Sequence, residues 1–105
     1  MYEQMTKGGK MLKKYESMIL ISPAMNEESA KAENANVHAF IKENGGEVLS
    51  TDDWGKKRLA YEIQNVREGF YFINYFNFDP AKTTELDRYY KLNENIIRHN
   101  ILLKS

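Results

Sequence analysis

Residues 70–78 constrain the fold more than any other part of this chain, because two kinds of bulky side chain alternate along them. Successive side chains of a β-strand point to opposite faces of its sheet. One face of this segment carries four phenylalanines and Asn74, and the other carries two tyrosines, Ile73 and Asn77. Phenylalanine has no polar atom to satisfy when buried, so we expect the phenylalanine face to lie against helices. The tyrosine face can keep its hydroxyl groups in water or offer them to a partner.

The rest of the chain divides into strand-like and helix-like segments. Short or alternating apolar runs predict strands, and apolar residues at helical spacings predict helices. The segments are a strand at 15–21, a helix at 26–44, a strand at 47–63, a helix from Asp79-Pro80 to about Leu92, and a strand at 96–103. Nearly every residue of the first strand is apolar, so we expect it to be central and covered on both faces.

Capping residues support both predicted helices. Asn26 suits the N-cap position, and Gly45 suits the residue after the helix end because glycine accepts a positive φ. Asp79 suits the second N-cap, with proline at the first helical position. The residues expected to face the sheet are Ala30, Val37, Phe40 and Ile41 in the first helix, and Leu86, Tyr89 and Tyr90 in the second.

The order strand-helix-strand-strand-helix-strand predicts a ferredoxin-like α+β fold, in which two helices lie on one face of a four-stranded antiparallel sheet. Residues 14–105 are expected to form this single domain, and residues 1–13 a flexible N-terminal arm. Residues 64–69 are predicted to be a turn, and Gly55 to mark a bulge within the long strand. Many functions share this fold, so function has to be argued from particular residues.

The charge of the chain is balanced, with 15 Lys and Arg against 15 Asp and Glu. A protein that holds RNA unaided is usually basic, so any RNA contact is expected to be local or helped by a partner protein. The lack of cysteine excludes disulfides and a Cys-based zinc site. No apolar run approaches the roughly 20 residues that would span a membrane, and the first residues are not expected to be a secretory signal.

A short segment around Trp54 combines the only tryptophan with three successive cations, Lys56, Lys57 and Arg58. These cations are candidates to bind a phosphate or an acidic partner. The alternative is that they are the solvated residues of a hairpin tip. Adjacent strand residues point to alternate faces, so the three cannot form one flat patch. Lys57 and Arg58 also protect a strand edge from pairing with another edge. The two aspartates just before the tryptophan are expected to pair with the cations.

Four aromatic side chains are candidate contact residues: Trp54, Tyr61, Tyr71 and Tyr75. They suit a platform on which RNA bases stack, a protein-docking surface, or ordinary packing on the sheet. Residues 68–75 contain the aromatics of an RNA-recognition module, but Glu68 stands where that module has Lys or Arg. This match is therefore weak.

Arg98 and His99 lie on the last strand, where alternation sends one inward and the other outward. Arg98 is a candidate to contact an RNA phosphate. A lone histidine such as His99 is more often a structural residue than a metal ligand. No metal or cofactor site is predicted. The chain is also not predicted to be an enzyme, because no nucleophile has a base at a suitable spacing and no glycine-rich phosphate loop follows a strand.

Several short strings occur in an order and at spacings that are highly specific in combination. They are Tyr15-Glu16, residues 43–48 (Glu-Asn-Gly-Gly-Glu-Val), Asp53-Trp54-Gly55, residues 57–61 (Lys-Arg-Leu-Ala-Tyr), Asp79-Pro80 and residues 95–99 (Asn-Ile-Ile-Arg-His). With these strings, residues 12–104 resemble the family of the sixth protein of the bacterial small ribosomal subunit. One departure is Glu62, where the family usually has proline.

The resemblance implies a structural component of the small-subunit platform in the cytoplasmic ribosome, without a cofactor. Such a protein binds the central domain of 16S rRNA as a heterodimer with the eighteenth small-subunit protein, which is a short basic chain. The residues that match the partner-facing strand are Trp54, Lys57, Arg58, Leu59 and Tyr61. The residues expected to contact the rRNA backbone are Lys56, Arg98 and Lys104.

Two other functions remain open from the residues alone. One is a stand-alone module that binds single-stranded RNA on the face with Tyr71 and Tyr75. The other is a ferredoxin-like module that binds only proteins. The first function requires that the chain bind RNA without a partner protein. The second requires that the chain not bind RNA even when a partner protein is present.

Overall fold

Strands and helices alternate along the chain in the predicted order. The computed structural model describes residues 4–5, 11–63 and 65–104. The strands are β1 (Gln4–Met5), β2 (Met11–Ile21), β3 (Glu47–Ile63), β4 (Val66–Phe78) and β5 (Ile96–Leu103). The helices are α1 (Glu27–Glu43) and α2 (Thr83–Leu92), and a 3-10 turn at Pro80–Lys82 leads into α2.

The four long strands form a sheet in the spatial order β3-β4-β2-β5, with every neighbouring pair antiparallel. β2 is central, as predicted, and the short β1 pairs with its first residues. This is the ferredoxin-like α+β arrangement. β3 and β5 form opposite edges, so surfaces on these two strands are separated by the width of the sheet.

The phenylalanine face of β4 is buried against the helices, which confirms its predicted orientation. Phe72 is 3% exposed, and Phe76 and Phe78 are fully buried. The core also contains, from the two helices, Ala30, Val37, Ile41, Leu86 and Tyr90, with Phe40 and Tyr89 partly buried against it. On the opposite face of β4, Tyr71 and Tyr75 stay partly exposed.

The prediction that the first strand is covered on both faces is wrong for most of its length. The helices cover the face of β2 that contains Ile19. On the other face Leu20 is buried, but Glu16 and Met18 remain partly exposed. Leu20 is shielded because β4 approaches closely at Gly69, where an added Cβ would lie 2.5 Å from Leu20 Cδ1.

The predicted turn at residues 64–69 is wrong in its extent. β4 begins at Val66, which pairs in register with Ile63, so only residues 64 and 65 separate the two strands. Gln64 lies outside the described residues. Asn65 has a φ of 66°, the left-handed conformation that asparagine tolerates. Gly69 is a strand residue that makes room for the side chain of Leu20, and not a turn residue.

Part of the predicted N-terminal arm belongs to the sheet. β2 begins at Met11, four residues before the predicted start of that strand, and Leu12 is 5% exposed. Within the arm, Gln4 and Met5 pair with Leu12 and Met11. The rest of the predicted arm, residues 1–3 and 6–10, lies outside the described residues.

The caps predicted for the first helix are confirmed, whereas the N-cap predicted for the second helix caps the 3-10 turn, and α2 itself begins at Thr83 without a side-chain cap. Asn26 Oδ1 accepts a hydrogen bond from the backbone N–H of Ser29 at 2.7 Å, and Gly45 has a φ of 83°. Asp79 Oδ1 accepts from the backbone N–H of Ala81 at 2.9 Å. A side-chain cap of this kind is worth about 1 kcal/mol.

Candidate nucleic-acid and partner-protein interface

β3 is an edge strand that presents an aromatic side chain at a bulge. Its register with β4 shifts between Asp53 and Gly55, and Gly55 has a φ of 69°, which confirms the predicted bulge. The backbone N–H of Gly55 donates to Asp53 Oδ1 at 2.9 Å. Trp54 is 54% exposed, and its ring centroid lies 6.4 Å from that of Tyr71. The bulge therefore holds the indole beside the tyrosine face with half of its surface in water.

The three successive cations of β3 diverge, as strand geometry requires. Lys57 and Arg58 stand opposite consecutive residues of β4, so their side chains lie on different faces. Lys56 Nζ lies 3.3 Å from Glu68 Oε2 and 5.8 Å from the ring centroid of Phe70. Lys56 therefore has a carboxylate and an aromatic ring as neighbours before any ligand arrives.

The expectation that Asp52 and Asp53 pair with these cations is wrong. Asp52 Oδ2 accepts a hydrogen bond from the Tyr75 hydroxyl at 3.1 Å. Asp53 Oδ1 accepts a hydrogen bond from the backbone N–H of Gly55. Burial, and then the bond to Asp52, raise the pKa of the Tyr75 hydroxyl. The carboxylate of Asp52 thus anchors a tyrosine on the open face of the sheet.

Two of the three predicted RNA contacts lie on the opposite edge of the sheet. Arg98 is exposed, and among the described residues no carboxylate lies within ion-pair distance of it. Lys104 follows the end of β5, and its Nζ lies 3.3 Å from Glu16 Oε1. At roughly 3.3 Å per strand residue, Arg98 and Lys104 are about 20 Å apart. Arg98 and Lys104 therefore share one edge of the sheet at a distance from each other, and Lys56 lies across the sheet on β3.

The five residues predicted to contact the partner protein all lie within residues 54–61 of β3. The pairing of β4 with β2 ends at Phe70, so beyond it β3 and β4 continue as a two-stranded hairpin. On this hairpin Tyr61 is 67% exposed and Leu59 is half-buried. The stretch presents aromatic and apolar surface along an edge that β4 does not cover.

A buried polar cluster joins α1 to the sheet, and the sequence patterns do not predict it. Asn74 is fully buried, and its Oδ1 accepts hydrogen bonds from Thr51 Oγ1 at 2.7 Å, His38 Nε2 at 2.9 Å and Asn34 Nδ2 at 3.2 Å. Its Nδ2 donates to Asn34 Oδ1 at 2.8 Å. The feature of the sequence that points to this cluster is Asn74, which interrupts the phenylalanine face. A buried amide needs hydrogen-bond partners.

His99 is a structural residue that joins β5 to α2. Its Nε2 lies 2.7 Å from Asp87 Oδ1, and Lys91 Nζ lies 2.8 Å from Asp87 Oδ2. The imidazole also lies 5.0 Å from the Tyr90 ring, centroid to centroid, and the Tyr90 hydroxyl is 2.6 Å from Ser17 Oγ. Burial raises the pKa of Tyr90. The hydrogen bonds from Lys91 and then His99 lower the pKa of Asp87.

The lowered pKa of Asp87 predicts a specific pH dependence of stability. A carboxylate with a lower pKa in the folded protein stabilises the fold above its ordinary pKa of 3.8 and loses this contribution as the pH falls through the folded value. We expect Asp87→Asn to lower the free energy of unfolding at neutral pH and to flatten its decline in acid. Urea unfolding at pH values from about 7 to 2 measures both effects. Glu85→Gln, in the same helix, is the control, and an acid limb unchanged by Asp87→Asn would contradict the prediction.

Within the described ranges, no group of three or more His, Cys, Asp or Glu side chains is arranged to hold a metal ion. In the same part of the chain, no helix combines the length and the apolar character needed to cross a membrane.

The chain is a small ferredoxin-like α+β domain with cations exposed at one edge of its sheet and aromatic side chains exposed at the other. A sequence model of the family described as Ribosomal protein S6 matches residues 14–102. The chain is 42% identical over 91 residues to the small ribosomal subunit protein bS6 of Desulforamulus reducens, which covers 87% of this chain and 96% of that protein. The 30S ribosomal protein S6 from Thermotoga maritima has a similar structure, with a TM-score of 0.84, 31% identity, and coverage of 89% of this chain and 88% of that one.

The chain belongs to the ribosomal protein S6 family. This confirms the resemblance of the sequence motifs, and the structural match confirms the ferredoxin-like α+β fold. The family consists of structural components of the small ribosomal subunit and not of enzymes. The chain is therefore a ribonucleoprotein component whose partners are ribosomal RNA and other ribosomal proteins.

Proposed function

We propose that the chain binds the central domain of 16S rRNA in the cytoplasmic ribosome, as a heterodimer with the eighteenth small-subunit protein. The observation that carries this proposal is the separation of two surfaces. The β5 edge presents Arg98 and, just after the strand, Lys104, and β3 presents exposed aromatic side chains at the other edge. Residues 14–105 act as one domain in this proposal, so RNA and a protein can be bound at the same time.

The RNA surface is proposed to be centred on Arg98 and Lys104. Among the residues that the structure describes, no carboxylate lies within ion-pair distance of Arg98, so its guanidinium can meet a phosphate directly. To bind a phosphate, Lys104 must break its ion pair with Glu16, and Lys56 its ion pair with Glu68. Ion pairs at a protein surface are worth only about 0–1 kcal/mol. Lys56 contacts the same RNA only if the RNA also reaches the β3 edge.

The partner surface is proposed to consist of Trp54, Lys57, Arg58, Leu59 and Tyr61. Trp54 and Tyr61 together provide large exposed aromatic surface at an unpaired strand edge. Aromatic side chains dominate the energetics of protein interfaces, and unpaired strand edges accept a further strand. The balanced charge of the chain supports a partner that supplies part of the positive charge facing the RNA.

The stand-alone RNA module is the less well supported alternative. Its base-stacking face contains the partly exposed rings of Tyr71 and Tyr75, which favours it. However, the same face contains the carboxylates of Asp52 and Glu16, which repel a phosphate backbone.

Truncating the exposed cation of β5 tests the RNA surface. We expect Arg98→Ala to weaken binding to a 16S central-domain fragment and to other RNA sequences by the same factor, because a contact to phosphate does not depend on the base sequence. The slope of log K against log salt should fall by about one unit. Filter binding at a series of salt concentrations, with the eighteenth protein present, measures this slope. Arg88→Ala, an exposed arginine of α2, is the matched control, and an unchanged slope for Arg98→Ala would remove it from the RNA surface.

A further inference from the structure

The hairpin of β3 and β4 contains a wide irregularity near its end. Arg58 pairs in register with Glu68, and Ile63 pairs with Val66, so residues 59–62 of β3 lie opposite Arg67 alone. At least three of these four residues have no residue of β4 opposite them. Such bulges bend a strand and redirect its side chains, and they are common beside binding sites.

Two arginines meet at this irregularity. Arg58 and Arg67 both line a recess of about 300 Å³ whose other walls are residues 59–62. Arg67 Nε donates to Glu62 Oε2 at 3.1 Å. Arg58 has no carboxylate within ion-pair distance in the described part of the chain. Over the described ranges, the Arg67 guanidinium therefore contacts a carboxylate of its own chain and the Arg58 guanidinium contacts none.

We propose that this recess, the Arg58–Arg67 recess, binds a carboxylate of the partner protein, and that Glu62 occupies the place of that carboxylate in the free chain. The inference rests on the proposed heterodimer. A guanidinium presents a planar fork of donors that matches a carboxylate. Glu62 already shows one such contact to Arg67. The side chains of this pair are 74% exposed for Arg67 and 45% exposed for Glu62, so the contact is weak and exchanges easily.

The surroundings of the recess fit a protein better than RNA. Leu59 and the 67%-exposed Tyr61 stand beside the two arginines and offer apolar contact to a side chain. Glu62 lines this recess, and Glu68 lines the neighbouring recess, which shares both arginines. Two carboxylates repel a continuous phosphate backbone more than they repel a single acidic residue on a basic protein.

Opposite effects of two substitutions test the proposal. We expect Glu62→Gln to tighten binding of the eighteenth protein by up to about fivefold, because the internal competitor loses its charge. Arg67→Gln and Arg58→Gln should weaken the same binding by about threefold to tenfold. Isothermal titration of the full chain with the purified eighteenth protein measures the dissociation constants. Glu27→Gln, which removes the acid of an exposed ion pair on α1 (3.5 Å to Lys31), and Arg88→Gln are the matched controls.

The outcomes separate this inference from the proposed function. If the unaltered chain binds the eighteenth protein but Glu62→Gln leaves the affinity unchanged or lowers it, the recess does not hold a partner carboxylate and the heterodimer still stands. If the substitutions change binding to the rRNA fragment without the partner, the recess is an RNA contact and the proposal is overturned. If the unaltered chain does not bind the eighteenth protein, both proposals are wrong.

Discussion

Phe76→Ala is expected to lower the free energy of unfolding by about 3–5 kcal/mol, the usual cost of removing a buried phenylalanine ring. Phe76 is fully buried in the centre of the phenylalanine face. Its ring centroid lies 6.0 Å from that of Tyr15 and 5.8 Å from that of Phe78. These aromatic neighbours are held by the sheet and cannot close the cavity that the substitution leaves. Urea unfolding monitored by circular dichroism measures the loss.

The neighbouring residue provides the matched control. Tyr75 lies on the same strand with its side chain on the open face, where it is partly exposed and bonds Asp52. We expect Tyr75→Ala to cost about 1 kcal/mol, because little apolar surface is uncovered and the lost hydrogen bond is exposed. Equal losses for the two substitutions would contradict the assignment of one buried and one open face.

Asn74→Ala is expected to lower the free energy of unfolding by about 2–4 kcal/mol, because more than one buried polar group loses its hydrogen-bond partner. The Asn74 side chain makes hydrogen bonds to Asn34, His38 and Thr51, and Asn34 is only 4% exposed. Removing the amide leaves the polar groups of these neighbours without their buried partner, at about 1–3 kcal/mol for each group left unsatisfied. The same urea experiment measures this loss.

A double-mutant cycle distinguishes a shared network from a simple loss of volume. His38→Ala should cost less in the Asn74→Ala background than in the unaltered chain, because the bond between the two side chains is already lost. Asn100→Ala is the control, since Asn100 is exposed and its side chain accepts a hydrogen bond from the backbone N–H of Met18. Additive effects of the His38 and Asn74 substitutions would show that the cluster does not act as a unit.

The fold was predictable where local patterns and tertiary packing agree. The alternation of residues 70–78 correctly indicated which face is buried, and the asparagine and aspartate caps correctly indicated where the helical segments begin. The turn at 64–69 was predicted too long because Gly69 resembles a turn residue in the sequence. Its actual role depends on the side chain of Leu20, which is distant in the sequence and adjacent only in the folded sheet.

The sequence indicates candidate cations but not how the fold groups them. Lys56, Arg98 and Lys104 are all exposed, but the strand order that puts Lys56 on the opposite edge follows from tertiary structure. The Asn74 cluster depends on partners from α1 and β3, which no periodicity in the sequence connects. The contact of Glu62 with Arg67 similarly depends on the register shift between Arg58 and Ile63, which the sequence does not specify.

Binding to a 16S central-domain fragment, measured with and without the eighteenth small-subunit protein at two salt concentrations, shows whether the chain needs a partner protein to hold RNA. We expect tight, salt-dependent binding only when the eighteenth protein is present, because the chain alone has no net charge. Tight binding by the chain alone would contradict this expectation and favour the aromatic face as an independent RNA surface. No binding in either condition would contradict it as well, and would leave a module that binds only proteins.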